Sequence, residues 1–193
     1  MLFRSGPRHA PYPEMPILGD ISQPDIITIS NVTEDGLLGG GYIEPHQDGV
    51  YLPTPLAGAV MRAEEVPDSG GDTSWSNLIQ AYSELNPTMK RRLRNLKVSA
   101  FNLYAGKTSR RDLGGGKQWF SEQDSTAQAH PLVRIHPPTG KKILWVSCLN
   151  SETIEGLSDE SEASNLLLEL KAHVDQDHLY RSEEHTSELQ SLV

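Results

Sequence analysis

The chain has 193 residues, a formal net charge of −9 and a hydrophobic content of 36%. The length suits one domain, and the acidic balance argues against a nucleic-acid-binding surface. No stretch of the sequence approaches the roughly 20 apolar residues of a membrane-spanning helix, and the single cysteine, Cys148, cannot form an internal disulfide, which fits a reducing cytoplasm. We therefore expect a cytoplasmic protein with neither nucleic-acid nor membrane partners.

The N-terminal half of the pattern predicts short strands followed by two helices. Runs rich in β-branched residues favour the strands, and side chains that can cap a first turn favour the helices. Pro87 at a first helical position supports the second helix start. In chain order, the predicted elements are strands over residues 26–32, 43–52 and 57–64, a helix from Thr73 or Ser74 to Glu84, and a helix from Asn86 to about Leu96.

The C-terminal half adds strands, a long insertion and one long helix. The predicted elements are a strand over residues 97–104, an insertion over 106–129, hairpin strands over 132–135 and 143–146, and a helix capped by Ser158. Strands with inserted helices and no repeated β-α-β unit indicate a mainly β (α+β) protein of the jelly-roll, or double-stranded β-helix, kind.

The triplet His46-Gln47-Asp48 is the strongest functional signal. On an extended strand, residues two apart point to the same face, so an imidazole nitrogen and a carboxylate oxygen would project together. These two ligands and a second histidine would make the facial triad of Fe(II) oxygenases.

The same spacing also occurs in His173-Val174-Asp175, at the end of a helical pattern over residues 160–174. On a helix, residues two apart lie roughly 200° around the axis and cannot bind one ion. We expect this second triplet to be helix surface or packing, and it shows that the spacing alone does not identify a metal site.

The residues after the first triplet resemble a known family. His-x-Asp is followed by a T-P-x-A-G strand over residues 54–58 and by G-G-D-T-x-W over residues 70–75. The stretches 130–146 and 156–162 also match in order. This pattern resembles the TauD/TfdA-like taurine dioxygenase family of Fe(II)- and 2-oxoglutarate-dependent oxygenases.

The resemblance implies a jelly roll with His46 and Asp48 as iron ligands and Thr73 in contact with the 2-oxoglutarate carboxylate. It implies oxidative decarboxylation of 2-oxoglutarate, with O₂, coupled to hydroxylation of a small-molecule substrate. A sulfonate such as taurine is the family default, but the chain lacks the arginine that relatives often carry near residues 151–154. A homo-oligomer is left open.

Residues 181–193 read like the translation of a sequencing-library adapter and are excluded from the fold. We expect a partial oxygenase domain over residues 1–180 and a non-native tail from Arg181 to Val193 that packs against nothing, which removes His185 as a ligand candidate. In the family, the second iron histidine and the 2-oxoglutarate arginine follow the last helix. The sequence is therefore interpreted as an inactive fragment, incomplete at its C-terminus.

Two alternatives stay open. One is a metal-dependent hydrolase that uses His46, Asp48 and a third ligand such as His130 or His136. The other is a non-enzymatic jelly-roll binding protein. Both His130 and His136 are expected to be structural, and Cys148 to be buried and inert.

Overall fold

In the computed structural model, residues 44–55, 73–100 and 128–181 are described with their side chains. For residues 182–183 and five short strands the description covers the backbone alone. The strands are β1 (Leu2–Ser5), β2 (Ile29–Ser30), β3 (Leu37–Leu38), β4 (Gly58–Met61), β5 (Thr73–Ser76), β6 (Lys97–Ala100), β7 (Gln128–Pro131), β8 (Val133–Ile135), β9 (Lys142–Leu144), β10 (Ser151–Glu155), β11 (Tyr180–Glu183) and β12 (Glu188–Gln190). The helices are α1 (Leu78–Glu84), α2 (Pro87–Leu93), α3 (Glu160–Val174) and a 3-10 turn (Asp177–Leu179).

The strands pair mostly in antiparallel fashion. One three-stranded sheet has the order β10-β6-β7, with Val98 opposite both Ile154 and His130. A second has the order β1-β4-β12, while β11 pairs with β5 and β8 with β9. Strands β2 and β3 form a short parallel pair. The described part of the chain therefore combines sheets with inserted helices.

The core lies between the helices and two of these strands. Helix α1 packs on β9, and α3 packs on β10 and α1. The largest fully buried side chains are Leu93, Leu132, Leu144, Leu166, Leu170, Val50, Val98, Val146 and Asn150. All but one are aliphatic, so apolar burial drives the assembly, and the buried polar exception, Asn150, lies beside the candidate site.

Several predicted elements are confirmed because their signals are local. The hairpin forms from β8 and β9. Helix α2 begins at Pro87, where the Asn86 side chain accepts the Met89 N–H. The predicted strands over residues 57–64 and 97–104 are found at β4 and β6.

The prediction of a strand over residues 43–52 is wrong for residues 44–52, which form an irregular segment and a turn. Pro45 has no N–H to donate to a strand ladder. Gly49 has a φ of +64°, a left-handed conformation open to glycine, and the Leu52 N–H closes the turn on the Gly49 carbonyl at 3.0 Å.

Two predicted helix caps are also wrong. Thr73 and Ser74 lie on β5, and helix α1 starts later, with the Asn77 side chain accepting the Gln80 N–H. Pairing with β11, distant in sequence, draws this segment into a strand. Helix α3 is capped by Asp159 rather than Ser158, because the Asp159 carboxylate accepts the N–H groups of the first turn.

The expectation that residues 181–193 pack against nothing is wrong. In strand β11, Arg181 lies opposite Trp75, and in β12, Leu189 lies opposite Val60. Strand pairing uses backbone groups that almost every residue carries, so a sequence of any origin can add a strand at an open edge.

The insertion at 106–129 falls almost entirely outside the described residues, as do His185 and most of the strand predicted at 26–32. Within the described ranges, no helix is both long and apolar enough to cross a membrane.

Candidate metal centre

The irregular segment over residues 44–52, here called the ligand loop, brings His46 and Asp48 together. The His46 Nε2 atom lies 3.2 Å from Asp48 Oδ1. Both side chains are partly accessible, at 31% and 30% of their surface. The predicted convergence of the two side chains is therefore present, although the loop achieves it rather than a strand.

The hydrogen bonds of His46 indicate which of its ring nitrogens carries a proton. Its Nδ1 lies 3.0 Å from the Glu44 carbonyl oxygen, and because a carbonyl can only accept, Nδ1 carries a proton. Burial lowers the pKa of His46, but the hydrogen bond to Asp48, the Asp48 charge and the Glu44 carbonyl together raise it above its ordinary value. The imidazolium form then donates from Nε2 to the Asp48 carboxylate.

This arrangement fits a divalent cation in place of the Nε2 proton. Ligand bonds of about 2.1 Å at right angles place neighbouring donor atoms about 3 Å apart, close to the separation of His46 Nε2 and Asp48 Oδ1. A ligating histidine commonly donates its other ring N–H to a backbone carbonyl, as His46 does to Glu44. The described residues hold no group of three His, Cys, Asp or Glu side chains suited to a metal, so the pair supplies two donors.

The far end of the ligand loop is anchored in the core. Val50 and Leu52 are buried, and the ring Nε2–H of His130 donates to the Leu52 carbonyl at 2.9 Å. His130 also meets the Trp145 ring edge-on, with centroids 6.3 Å apart. Burial lowers the pKa of His130, despite the Leu52 hydrogen bond, so the neutral ring holds the loop. The structural interpretation of His130 is confirmed.

The near end of the loop is held by Ser147 and Asn150, two residues that sequence reasoning missed. Asn150 is 1% exposed, and its Oδ1 accepts the Gln47 N–H at 3.3 Å. No motif in the sequence around Asn150 signals this contact, because the partners are separated by 103 residues.

Thr73 is half-buried on β5, where its backbone pairs with Glu183. The strand excludes the alternative that Thr73 caps a helix. Its proposed contact with a 2-oxoglutarate carboxylate rests on the sequence resemblance.

The other candidate ligands have structural partners. His173 Nε2 donates to the Ala81 carbonyl at 2.8 Å, and His136 Nδ1 lies 2.7 Å from Thr139 Oγ1. Cys148 is half-buried, and burial raises its thiol pKa to about 11. The hydrolase alternative named His130 and His136 as examples of a third ligand beside the loop pair, and no such three-ligand group occurs among the described residues.

Comparison with known proteins identifies the family. The profile described as "Taurine catabolism dioxygenase TauD, TfdA family" matches residues 4–184, and the chain belongs to this family of dioxygenases. Pentalenolactone F synthase of Streptomyces arenae is 31% identical over 161 residues, 77% of this chain and 54% of the relative. The (S)-phenoxypropionate/alpha-ketoglutarate-dioxygenase of Sphingobium herbicidovorans is 31% identical over 165 residues, covering 76% and 55%.

An alpha-ketoglutarate-dependent sulfonate dioxygenase of Saccharomyces cerevisiae is also 31% identical, over 73% of this chain and 32% of the relative. The chain thus spans about half the length, or less, of these curated relatives. A crystal structure of AAD-2 in complex with Mn(II) and N-oxalylglycine matches with a TM-score of 0.61 and 24% identity, covering 74% of this chain and 54% of that one. This likeness establishes a shared fold.

Proposed function

We propose that the chain supplies part of the active site of an Fe(II)- and 2-oxoglutarate-dependent dioxygenase, with His46 and Asp48 as two of the three iron ligands. The observation that carries the proposal is the 3.2 Å approach of His46 Nε2 to Asp48 Oδ1. The pair is an imidazole and a carboxylate, which are two of the three donors of the iron facial triad. The family match supports the choice of metal and cosubstrate.

In this proposal each residue has a defined task. Asp48 would bind the metal through Oδ1. The Glu44 carbonyl accepts the Nδ1–H of His46, which leaves Nε2 free of that bond and available as the second ligand atom. Thr73 binds the carboxylate of 2-oxoglutarate. When bound, Fe(II) and 2-oxoglutarate supply the oxidative decarboxylation to succinate and CO₂ that is coupled to hydroxylation of the substrate.

We further propose that the sheets belong to a jelly roll whose domain covers residues 1–180. The fold likeness to AAD-2 supports this architecture. The adapter origin of residues 181–193 stays a proposal, because strand pairing of β11 and β12 is compatible with either origin. Re-sequencing the locus beyond the codon for Tyr180 tests it: a locus that encodes the same residues 181–193 would reject the adapter interpretation, and a different continuation would support it.

The substrate is proposed to be a small organic molecule, with O₂ as co-reactant, in the cytoplasm. A sulfonate such as taurine is one candidate. Three relatives with the same identity of 31% carry names that refer to a pentalenolactone, a phenoxypropionate and a sulfonate, so similarity does not single out taurine. The net charge of −9 supports the absence of nucleic-acid partners. A homo-oligomer remains compatible with the proposal.

The family resemblance puts the third iron ligand after the last helix, and we propose that residues 1–193 do not supply it. Two ligands hold a cation from one side, so the 193-residue chain is expected to bind Fe(II) weakly and to be inactive by itself.

The test compares residues 1–193 with the product of the same gene read to its natural stop codon. Succinate release is measured with and without 2-oxoglutarate, Fe(II) and a panel of sulfonates and phenoxyalkanoates. The proposal expects 2-oxoglutarate-dependent succinate from the longer product and none from the chain. Absence of succinate from the longer product with every substrate would reject the dioxygenase, and equal turnover by both would reject the two-ligand account.

A further inference from the structure

The backbone on both sides of His46 is held by a single turn that lies about a hundred residues later in the sequence. On one side, the Pro45 carbonyl accepts the Leu149 N–H at 3.1 Å and the Ser147 hydroxyl at 3.4 Å. On the other side, the Gln47 N–H donates to Asn150 Oδ1 at 3.3 Å. Hydrogen bonds from one turn therefore hold both residues next to His46, which are Pro45 and Gln47.

That unit, the turn over residues 147–150, is itself held together by hydrogen bonds. Ser147 Oγ lies 3.1 Å from Asn150 Oδ1 and 3.1 Å from the Asn150 N–H. The Ser147 N–H donates to Ser151 Oγ at 2.9 Å. Ser147, Asn150 and Ser151 are all buried, and Ser151 begins β10, which pairs with β6. The turn therefore joins the β10-β6-β7 sheet to the ligand loop.

A buried amide side chain is retained only where its hydrogen bonds compensate for desolvation. The ligand loop has no strand ladder that could fix its backbone, since Pro45 cannot donate and residues 44–52 form no strand. The Asn150 side chain accepts the Gln47 N–H. In a strand, a carbonyl of the neighbouring strand would accept that N–H instead.

We propose that Asn150, supported by Ser147, is a positioning residue that sets the His46 side chain at its metal-binding distance from Asp48. The metal-binding part of this inference rests on the proposed function. The competing explanation is that Asn150 stabilises the fold in general, without any particular effect on the loop.

Three variants of the full chain separate these explanations. Asn150→Ala removes the acceptor, whereas Asn150→Asp keeps an oxygen at the same position for the Gln47 N–H. Asn77→Ala is the matched control, because Asn77 also accepts a backbone N–H through its side chain, from Gln80 at 3.0 Å, but at the start of α1.

Two readouts are recorded for each variant by NMR. The first is amide hydrogen exchange of Gln47 in the metal-free chain, referenced to exchange at buried Leu166, which reports general loosening. The second is an Mn(II) titration followed by paramagnetic broadening of the His46 ring signals. The reference to Leu166 separates a local effect on the loop from a loss of overall stability.

We expect Asn150→Ala to speed Gln47 exchange at least tenfold more than Leu166 exchange, and to weaken Mn(II) binding at His46 by about tenfold, the scale known for residues that orient metal ligands. Asn150→Asp should restore most of the normal exchange and Mn(II) binding, and Asn77→Ala should change neither.

Equal changes at Gln47 and Leu166, or unchanged Mn(II) binding in Asn150→Ala, would overturn the positioning role. If Mn(II) broadens the other histidines of the unaltered chain before it broadens His46, the two-ligand iron site itself is rejected. Local exchange at Gln47 would then still support Asn150 as an anchor of the loop.

Discussion

The chain contains the same His-x-Asp spacing twice, in two different backbones. In the ligand loop, His46 Nε2 and Asp48 Oδ1 lie 3.2 Å apart. At the end of α3, the two side chains turn to different partners: His173 donates to the Ala81 carbonyl, and Asp175 accepts the Tyr180 hydroxyl at 2.6 Å. The comparison shows that backbone conformation, more than residue spacing, decides whether the two side chains of such a triplet converge.

The middle residues of the two triplets show why the backbones differ. Val174 is buried among the apolar residues of α3, so hydrophobic packing fixes that segment. Gln47 is buried too, but its backbone N–H is held by the Asn150 side chain. Apolar burial therefore fixes the residue between His173 and Asp175, and a polar contact fixes the residue between His46 and Asp48.

The largest expected effect is on catalysis, measured on the longer product that tests the proposed function. His46→Ala should lower 2-oxoglutarate-dependent succinate release by more than about a hundredfold, because a metal ligand is lost. His173→Ala, in the second triplet, should leave the rate within about twofold, because its ring bonds the Ala81 carbonyl and has no part in the His46–Asp48 pair. Comparable losses in both variants would remove the distinction between the two triplets.

The second prediction concerns how much the buried face of helix α3 contributes to stability. Leu170 is fully buried, whereas Leu168, on the same helix, is 65% exposed. Leu170→Ala should lower the free energy of unfolding by about 2–5 kcal/mol, and Leu168→Ala should change it by no more than about 0.5 kcal/mol. Urea unfolding followed by circular dichroism measures both. Similar midpoints for the two variants would contradict the assigned core face of α3.

The third prediction concerns Cys148, which lies between the two regions: it belongs to the turn at residues 147–150, and its Sγ lies 3.9 Å from the Lys171 carbonyl in α3. Burial raises its pKa from 9.0 to about 11, so at pH 8 the folded chain should hold about a hundredfold less thiolate than the unfolded chain. Iodoacetamide labelling with and without urea measures the ratio. Equal rates would show that the thiol is not shielded.

The same pKa shift makes the free energy of unfolding depend on pH. Between about pH 9 and pH 11 the unfolded thiol has lost its proton and the folded thiol has kept it. The folded state then binds more protons, so the free energy of unfolding should fall as the pH rises through this range. A Cys148→Ala variant should lack this component of the fall, and an identical pH profile in both would contradict the assignment.

The smallest expected effect concerns which of two adjacent residues, Ser158 or Asp159, caps helix α3. Asp159→Ala should destabilise the chain by about 1 kcal/mol, because its carboxylate accepts two first-turn N–H groups. Ser158→Ala should have a smaller effect, within about 0.5 kcal/mol. A larger loss from Ser158→Ala in thermal unfolding would restore the cap predicted from the sequence.

The sequence predicts elements well where a few neighbouring residues determine them. Asn86 and Pro87 start α2 by local capping and geometry, and the hairpin of β8 and β9 closes over a short turn. The ligand loop could not be predicted, because its contacts with Ser147 and Asn150 join residues about a hundred positions apart. The same reason applies to β5, which depends on pairing with β11.

The candidate site was predictable as a pair of residues but not as a geometry. His46 and Asp48 stand out through their spacing and through the family motif that follows. The loop that brings them together, the Glu44 carbonyl that sets the histidine tautomer and the His130 anchor at Leu52 have no motif of their own.

The central claim is that the first triplet, and not the second, binds a divalent cation, and an Mn(II) titration of the chain with its histidine signals assigned tests it most directly. The account predicts that paramagnetic broadening begins at His46 and is lost in Asp48→Ala, while His173 and His136 respond only at much higher Mn(II). Broadening that begins at His173, or that persists unchanged at His46 in Asp48→Ala, would contradict it.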